Sequence, residues 1–124
     1  ANVDKIAVIG YCFGGTGALE VMRAKMPVAG VVSIHGGIGK DQSRPNDAIT
    51  TKILVENPAE DESVTKEDYE SLVKELKEGR ADWQIITYAN SKHTFTDPKS
   101  KDYNPVMAKR AWNHTLMFLK ELLK

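Results

Sequence analysis

The sequence predicts an α/β fold: a parallel sheet of about four strands with flanking helices. Three observations carry that expectation. Short β-branched runs alternate with helical patterns, each helical pattern has its own start or stop signal, and no repeat, low-complexity tract or linker interrupts them. The order reads β-α-β-loop-β-α-β-loop-α, and alternation of this kind demands crossovers, hence parallel strands covered on their faces.

Lys5-Ile-Ala-Val-Ile-Gly10 is apolar, β-branched and closed by glycine, which predicts a central strand buried on both faces. Gly14 to Lys25 follows as a helix, with Ala18, Leu19, Val21 and Met22 available to one side and Pro27 closing it. Val28 to Ile34 is a second buried strand, ended by Gly36-Gly37. Gly36 to Thr51 mixes glycines, Ser43, Pro45, Asn46 and aspartates without a period, so a loop is expected. Lys52 to Val55 is the third strand. Thr65 with Asp68 three residues on resembles a capping box, and Tyr69, Leu72, Val73 and Leu76 fall on one helical face before Gly79. Trp83 to Tyr88 is the fourth strand, and Ala89 to Tyr103 a second long loop. Asn104 as N-cap and Pro105 at the first helical position open a last helix, with Trp112, Leu116, Leu119 and Leu123 as its inward stripe. Trp83 and Trp112 are expected in the core. The whole is read as one domain, residues 1–124.

Lys plus Arg (17) balances Asp plus Glu (17), so no summed positive field draws the chain to nucleic acid or to an anionic membrane. The apolar runs are far shorter than the roughly 20 residues that cross a bilayer, and no basic-then-apolar signal opens the sequence. One cysteine excludes an intrachain disulfide. A reducing, cytoplasmic home is the expectation. The spacing of Cys12, His35, His93 and His114 holds no paired metal-ligand motif, so neither metal nor cofactor is expected. The sequon Asn113-His114-Thr115 lies within a helical stretch and is read as chance. The chain opens at Ala1 directly before a strand, which suggests that something upstream is missing.

The densest chemical signal is Gly10-Tyr11-Cys12-Phe13-Gly14, a G-x-C-x-G pattern between strand and helix. A residue in such a turn projects above the sheet, and flanking glycines let neighbouring backbone come close. The helix N-terminus behind Cys12 is expected to favour thiolate, and the Phe13 amide to donate to a developing oxyanion. A nucleophile here needs an acid and then a histidine later in the chain. His93 leaves the fourth strand at the carboxyl end of the sheet; His35 precedes any suitable acid and is read as structural, and His114 sits mid-helix. Asp61 follows the third strand, with Glu56 and Glu60 competing for the acid's role.

Gly10-Tyr-Cys-Phe-Gly-Gly15, Glu60-Asp61, Lys92-His93-Thr94-Phe95-Thr96-Asp97-Pro98, Asp102-Tyr103-Asn104-Pro105 and the Ala108-x-Arg110-Ala-Trp112 helix together resemble the dienelactone hydrolase family, over nearly the whole chain. The resemblance implies the C-terminal portion of an α/β-hydrolase fold and cofactor-free hydrolysis of a small-molecule ester or lactone. Cys12 would be nucleophile, Asp61 the orienting acid, His93 the base and the Phe13 backbone an oxyanion donor. Tyr11, Phe13 and Phe95 could line an apolar pocket, while Asp97 offers no cationic clamp for a substrate carboxylate. Two departures stand out. Glu56-Asn57-Pro58-Ala59 replaces the family's small glycine-containing turn, and the family's strands before the nucleophile, with the second oxyanion donor, have no counterpart here.

Two other readings compete. A catalytically inactive piece or truncated paralogue would associate through its uncovered first strand, as a homo-oligomer or with a missing N-terminal segment. A nucleotide- or phosphate-binding module would use the glycine-rich turn as a phosphate cradle, but neither G-x-G-x-x-G nor Gly-Lys-Ser/Thr is present.

Overall fold

The computed structural model describes residues 5–123; Ala1, which opens the chain, lies outside them. Four strands, β1 (Ala7–Tyr11), β2 (Gly30–Ile34), β3 (Lys52–Pro58) and β4 (Trp83–Tyr88), form one sheet in the order β1-β2-β3-β4. Every pairing is parallel, and the register sets Tyr11 against Ile34 and Ile34 against Glu56. The loops leaving the strands therefore emerge along one edge, the carboxyl edge of the sheet.

Helices α1 (Phe13–Arg23), α2 (Lys66–Glu78) and α3 (Pro105–Leu122) cover the sheet. Alternate strand residues point to opposite faces. Val31, Ile53 and Val55 pack with Ala18, Leu19 and Met22 of α1 and with Leu72 and Leu76 of α2. On the other face Val32, Ile34 and Leu54 receive Phe118 of α3. Gly30 lets that helix settle closely, since a Cβ there would lie 2.5 Å from Leu122. The predicted caps form: Thr65 accepts from the Asp68 amide and Asn104 from the Met107 amide, with Pro105 at the helix start.

Three expectations need correction. β1 is an edge strand: among the described residues it pairs only with β2, and Ile9 is 37% exposed. Val8 packs into the core under α1, whereas Ile9 and Tyr11 face the less covered side beside α3. The inward stripe of α3 is Ala111, Thr115 and Phe118, and Trp112 and Leu116 are exposed. Hydrophobicity alone misassigned this face, because the helix turns a small residue and a hydroxyl toward buried Glu56 and leaves Trp112 outside. β3 runs three residues past its expected end at Val55, to Pro58, and carries Glu56 inside the sheet.

Candidate active site

Cys12 sits between β1 and α1 with φ 53° and ψ −120°. A positive φ on a non-glycine residue is strained and is held by surrounding contacts. Here the Cys12 amide donates to Ile34 at 3.0 Å, and its carbonyl accepts from Gly15 at 2.9 Å and Thr16 at 3.3 Å. Gly10 and Gly36 are needed for close approach, neither having positive φ, whereas a side chain on Gly14 would meet open space. A Cβ on Gly10 would fall 1.8 Å from the Gly14 carbonyl oxygen, and one on Gly36 2.6 Å from the Thr16 amide.

Asp61 and His93 come together from the turns after β3 and β4. His93 Nδ1 lies 3.1 Å from Asp61 Oδ2, with Asp61 almost wholly buried and His93 half-exposed. The altered Pro58-Ala59 turn is tied to the β4 exit by the Ala59 amide on the Tyr88 carbonyl and the Glu60 amide on the Ser91 carbonyl, both 2.9 Å. These bonds bring the two loops to a common position without the glycine turn. Burial alone would raise the Asp61 carboxyl, but hydrogen bonds from the Ser63 side chain and amide and from His93 outweigh it and bring it below the usual range. Glu60 points to solvent, and Glu56 lies elsewhere, so neither competitor touches His93.

Sequence reasoning missed His35. Read as a structural residue, it stands between the expected partners: Nδ1 is 3.3 Å from Cys12 Sγ, Nε2 is 2.7 Å from Thr96 Oγ1, and its ring meets that of His93 edge-on at 5.3 Å. Cys12, His35 and His93 each present an atom within 4.8 Å of the others. The sequence signal was a histidine at the carboxyl end of a parallel strand, the same signal that picked out His93. Burial, helped by the neighbouring His93, lowers His35 to about 4. The Cys12 thiol moves opposite to the expected direction: burial pushes it up, and Asp97 and Asp61 add to the rise. A helix N-terminus behind the sulfur is thus opposed by a partly dry, negatively charged front.

A cavity of about 430 Å³ opens in front of Cys12, walled by Tyr11, Ile34, Glu56, Thr96, Asp97 and Trp112 among others. Tyr11 lines it. Phe95 does not: fully buried, it packs between Tyr88 and His35 and supports the latter from below. The Phe13 side chain is 90% exposed and forms no wall, while its amide, first in α1, has no intrahelical partner. Glu56 is buried against the cavity, accepting from Tyr88 and Thr115, and burial lifts its carboxyl to about 7. His114, on α3, contacts Tyr88 through Nδ1 at 2.7 Å, away from the sulfur.

A parallel sheet with helices on both faces, carrying its cysteine on a strained strand-to-helix elbow and an acid–histidine pair on later loops, is an α/β-hydrolase fold. Residues 1–123 match the model of the dienelactone hydrolase family, and the chain belongs to that hydrolase family. Over 95% of its length it is 29% identical to an uncharacterised protein of Caenorhabditis elegans, covering 80% of that protein. It is 27% identical over 96% of its length to a probable 2-oxo-3-(5-oxofuran-2-ylidene)propanoate lactonase of a Bradyrhizobium species, covering 51% of it. Among solved structures, a dienelactone hydrolase-like promiscuous phosphotriesterase from metagenomic libraries superimposes with TM-score 0.86 at 30% identity, over 96% of this chain and 53% of that one. The chain thus spans about half the length of the lactonase and of the phosphotriesterase.

Proposed function

We propose that the chain carries the catalytic machinery of a carboxylic ester or lactone hydrolase. Cys12 is the nucleophile, His93 the base, Asp61 the acid that orients it, and the Phe13 amide an oxyanion donor. The observation that carries the reading is the His93–Asp61 pair at 3.1 Å beside a cysteine on a strained elbow. Proximity favours His35 as the base, but electrostatics favour His93. An imidazole lowered to about 4 is a poor proton acceptor at neutral pH, whereas His93 has a carboxylate behind it to stabilise the imidazolium.

Because the resting sulfur is a thiol, proton transfer accompanies attack. Cys12 Sγ adds to the carbonyl carbon while its proton passes to His93, and the tetrahedral oxyanion faces the Phe13 amide. Collapse expels the alkoxide, which takes the proton from His93 and leaves a thioester on Cys12. His93 then deprotonates a water that attacks the thioester, and the acid departs with the thiol restored. Asp97 and Asp61 surround the sulfur with negative charge, so the reading takes an uncharged ester or lactone as substrate. The lactonase relative supports a lactone as substrate, though the substrate in its name is itself a carboxylate and lends no support to the absence of charge.

The test is hydrolysis of an activated aryl ester and a small lactone, with mass spectrometry of the quenched protein. The expected result is turnover with an acyl adduct on Cys12, abolished in Cys12→Ala and reduced by two or more orders of magnitude in His93→Ala. Equal turnover by Cys12→Ala overturns the reading. The outer edge of β1, unpaired among the described residues, favours a second property, association through that edge.

A further inference from the structure

We infer that Cys12, His35 and His93 form a binding site for one thiophilic divalent cation of the zinc class, which caps the nucleophile and holds hydrolysis off until it leaves. The three donor atoms come from three separate strand-end loops and lie within 4.8 Å of one another. A thiolate and two imidazoles suit zinc, and three protein ligands leave a fourth position for water. Zn–S of about 2.3 Å and Zn–N of about 2.0 Å in a tetrahedron set ligand atoms roughly 3.3–3.6 Å apart. The Sγ to Nδ1 distance of 3.3 Å already meets that requirement, so only the half-exposed His93 ring has to close.

The ring nitrogens are also committed in the right sense. His35 Nε2 is engaged by Thr96 Oγ1, leaving the Nδ1 lone pair toward the sulfur. His93 Nδ1 is engaged by Asp61, leaving Nε2 for the ion. Outer partners of this kind, a carboxylate behind one imidazole and a hydroxyl behind another, fix tautomers at metal sites. The carboxylate of Asp61 behind His93 and that of Asp97 in the cavity wall beside Cys12 and His35 place negative charge where a cation would sit. Binding exchanges the thiol proton for the ion and releases that proton to solvent, with no redox change. The ligands are too far apart in sequence to form a short motif, which is why spacing gave no sign of the site.

The test is titration of the chain with cobalt(II), followed by absorbance. One equivalent should give a near-ultraviolet thiolate-to-cobalt band and visible bands of tetrahedral intensity, both removed by zinc, and Cys12→Ser should lack the thiolate band. His93→Gln, at a half-exposed position, and Thr96→Val, behind His35, should each weaken binding about 10-fold or more with circular dichroism unchanged. No thiolate band from the folded wild-type chain, or a band whose affinity ignores both variants, overturns the site. Ester turnover that persists at saturating zinc overturns the capping. A chain that hydrolyses esters yet shows no band fails this inference alone. One that binds cobalt as described without any turnover upholds the site, and the hydrolase reading falls by itself.

Discussion

Cys12 concentrates opposing effects in one residue. Its positive φ accompanies the close approach of Gly10 to the Gly14 backbone and of Gly36 to the Gly15 and Thr16 backbone around the elbow, and its sulfur faces a front whose burial and carboxylates disfavour charge. Iodoacetamide labelling of the wild-type chain should therefore show a midpoint above the free-cysteine value of about 8.5. Asp97→Asn should move that midpoint down, because it removes one of the two charges opposing thiolate; labelling as a function of pH, read by mass spectrometry, checks both. A midpoint below the free value would mean that the helix N-terminus prevails. Glu56 gives a second residue-scale prediction. Its folded carboxyl titrates at about 7, above the ordinary 4.5, so the folded state holds the proton more tightly than the unfolded one. The stability contributed is then fully present below about pH 4.5 and is lost as pH rises through about 7. Between about pH 5 and 8 the wild type should lose on the order of 1–3 kcal/mol that Glu56→Gln does not lose, measured from urea midpoints of the two proteins.

Among the elements, α1 and α2 are joined by a buried ion pair. Arg23, its side chain 2% exposed, donates to both carboxylate oxygens of Glu75 at 2.9 Å and also reaches Glu20 and the Ile38 carbonyl. Arg23→Ala leaves Glu75 buried without its partner and should cost about 3–5 kcal/mol in denaturant unfolding. The double variant Arg23→Met, Glu75→Leu should recover most of that loss, since no uncompensated charge remains. A cost below about 1 kcal/mol for Arg23→Ala would place the pair among weak surface bridges instead. Such long-range partners mark where the sequence stops being legible. Strand and helix order, both N-caps and the elbow could be read locally, because capping, β-branching and glycine spacing act over a few residues. The face of α3 could not: Thr115 is buried because Glu56 waits beneath it, a contact spanning half the chain, while Trp112 is left at the cavity lip. His35 escaped for the same reason, its importance arising from Cys12 on β1's exit and Thr96 beyond β4 rather than from its own neighbours.

For the whole molecule, the sheet order decides what is left uncovered. β2 and β3 are paired on both sides and their side chains are almost entirely buried, whereas among the described residues β1 offers one edge of unpaired amides and carbonyls. Ile9 and Tyr11 stand exposed on the same strand, and Tyr11 shares a cavity with Trp112, one helical turn from exposed Leu116. An apolar edge strand beside an apolar patch is a template for pairing with another chain, and no proline or inward charge within β1 blunts it. The chain on its own should therefore associate as its concentration rises, seen as an increasing weight-average mass in sedimentation equilibrium. Ile9→Lys should restore the monomer, because a charge on the edge strand resists being buried against a second strand. Ile9 belongs to none of the three buried core clusters, so this substitution should shift the urea midpoint little and separates association from folding. A wild-type chain that stays monomeric at every concentration would show that the open edge is tolerated, and the association reading would fall while the Cys12, Asp61 and His93 assignment stood on its own test.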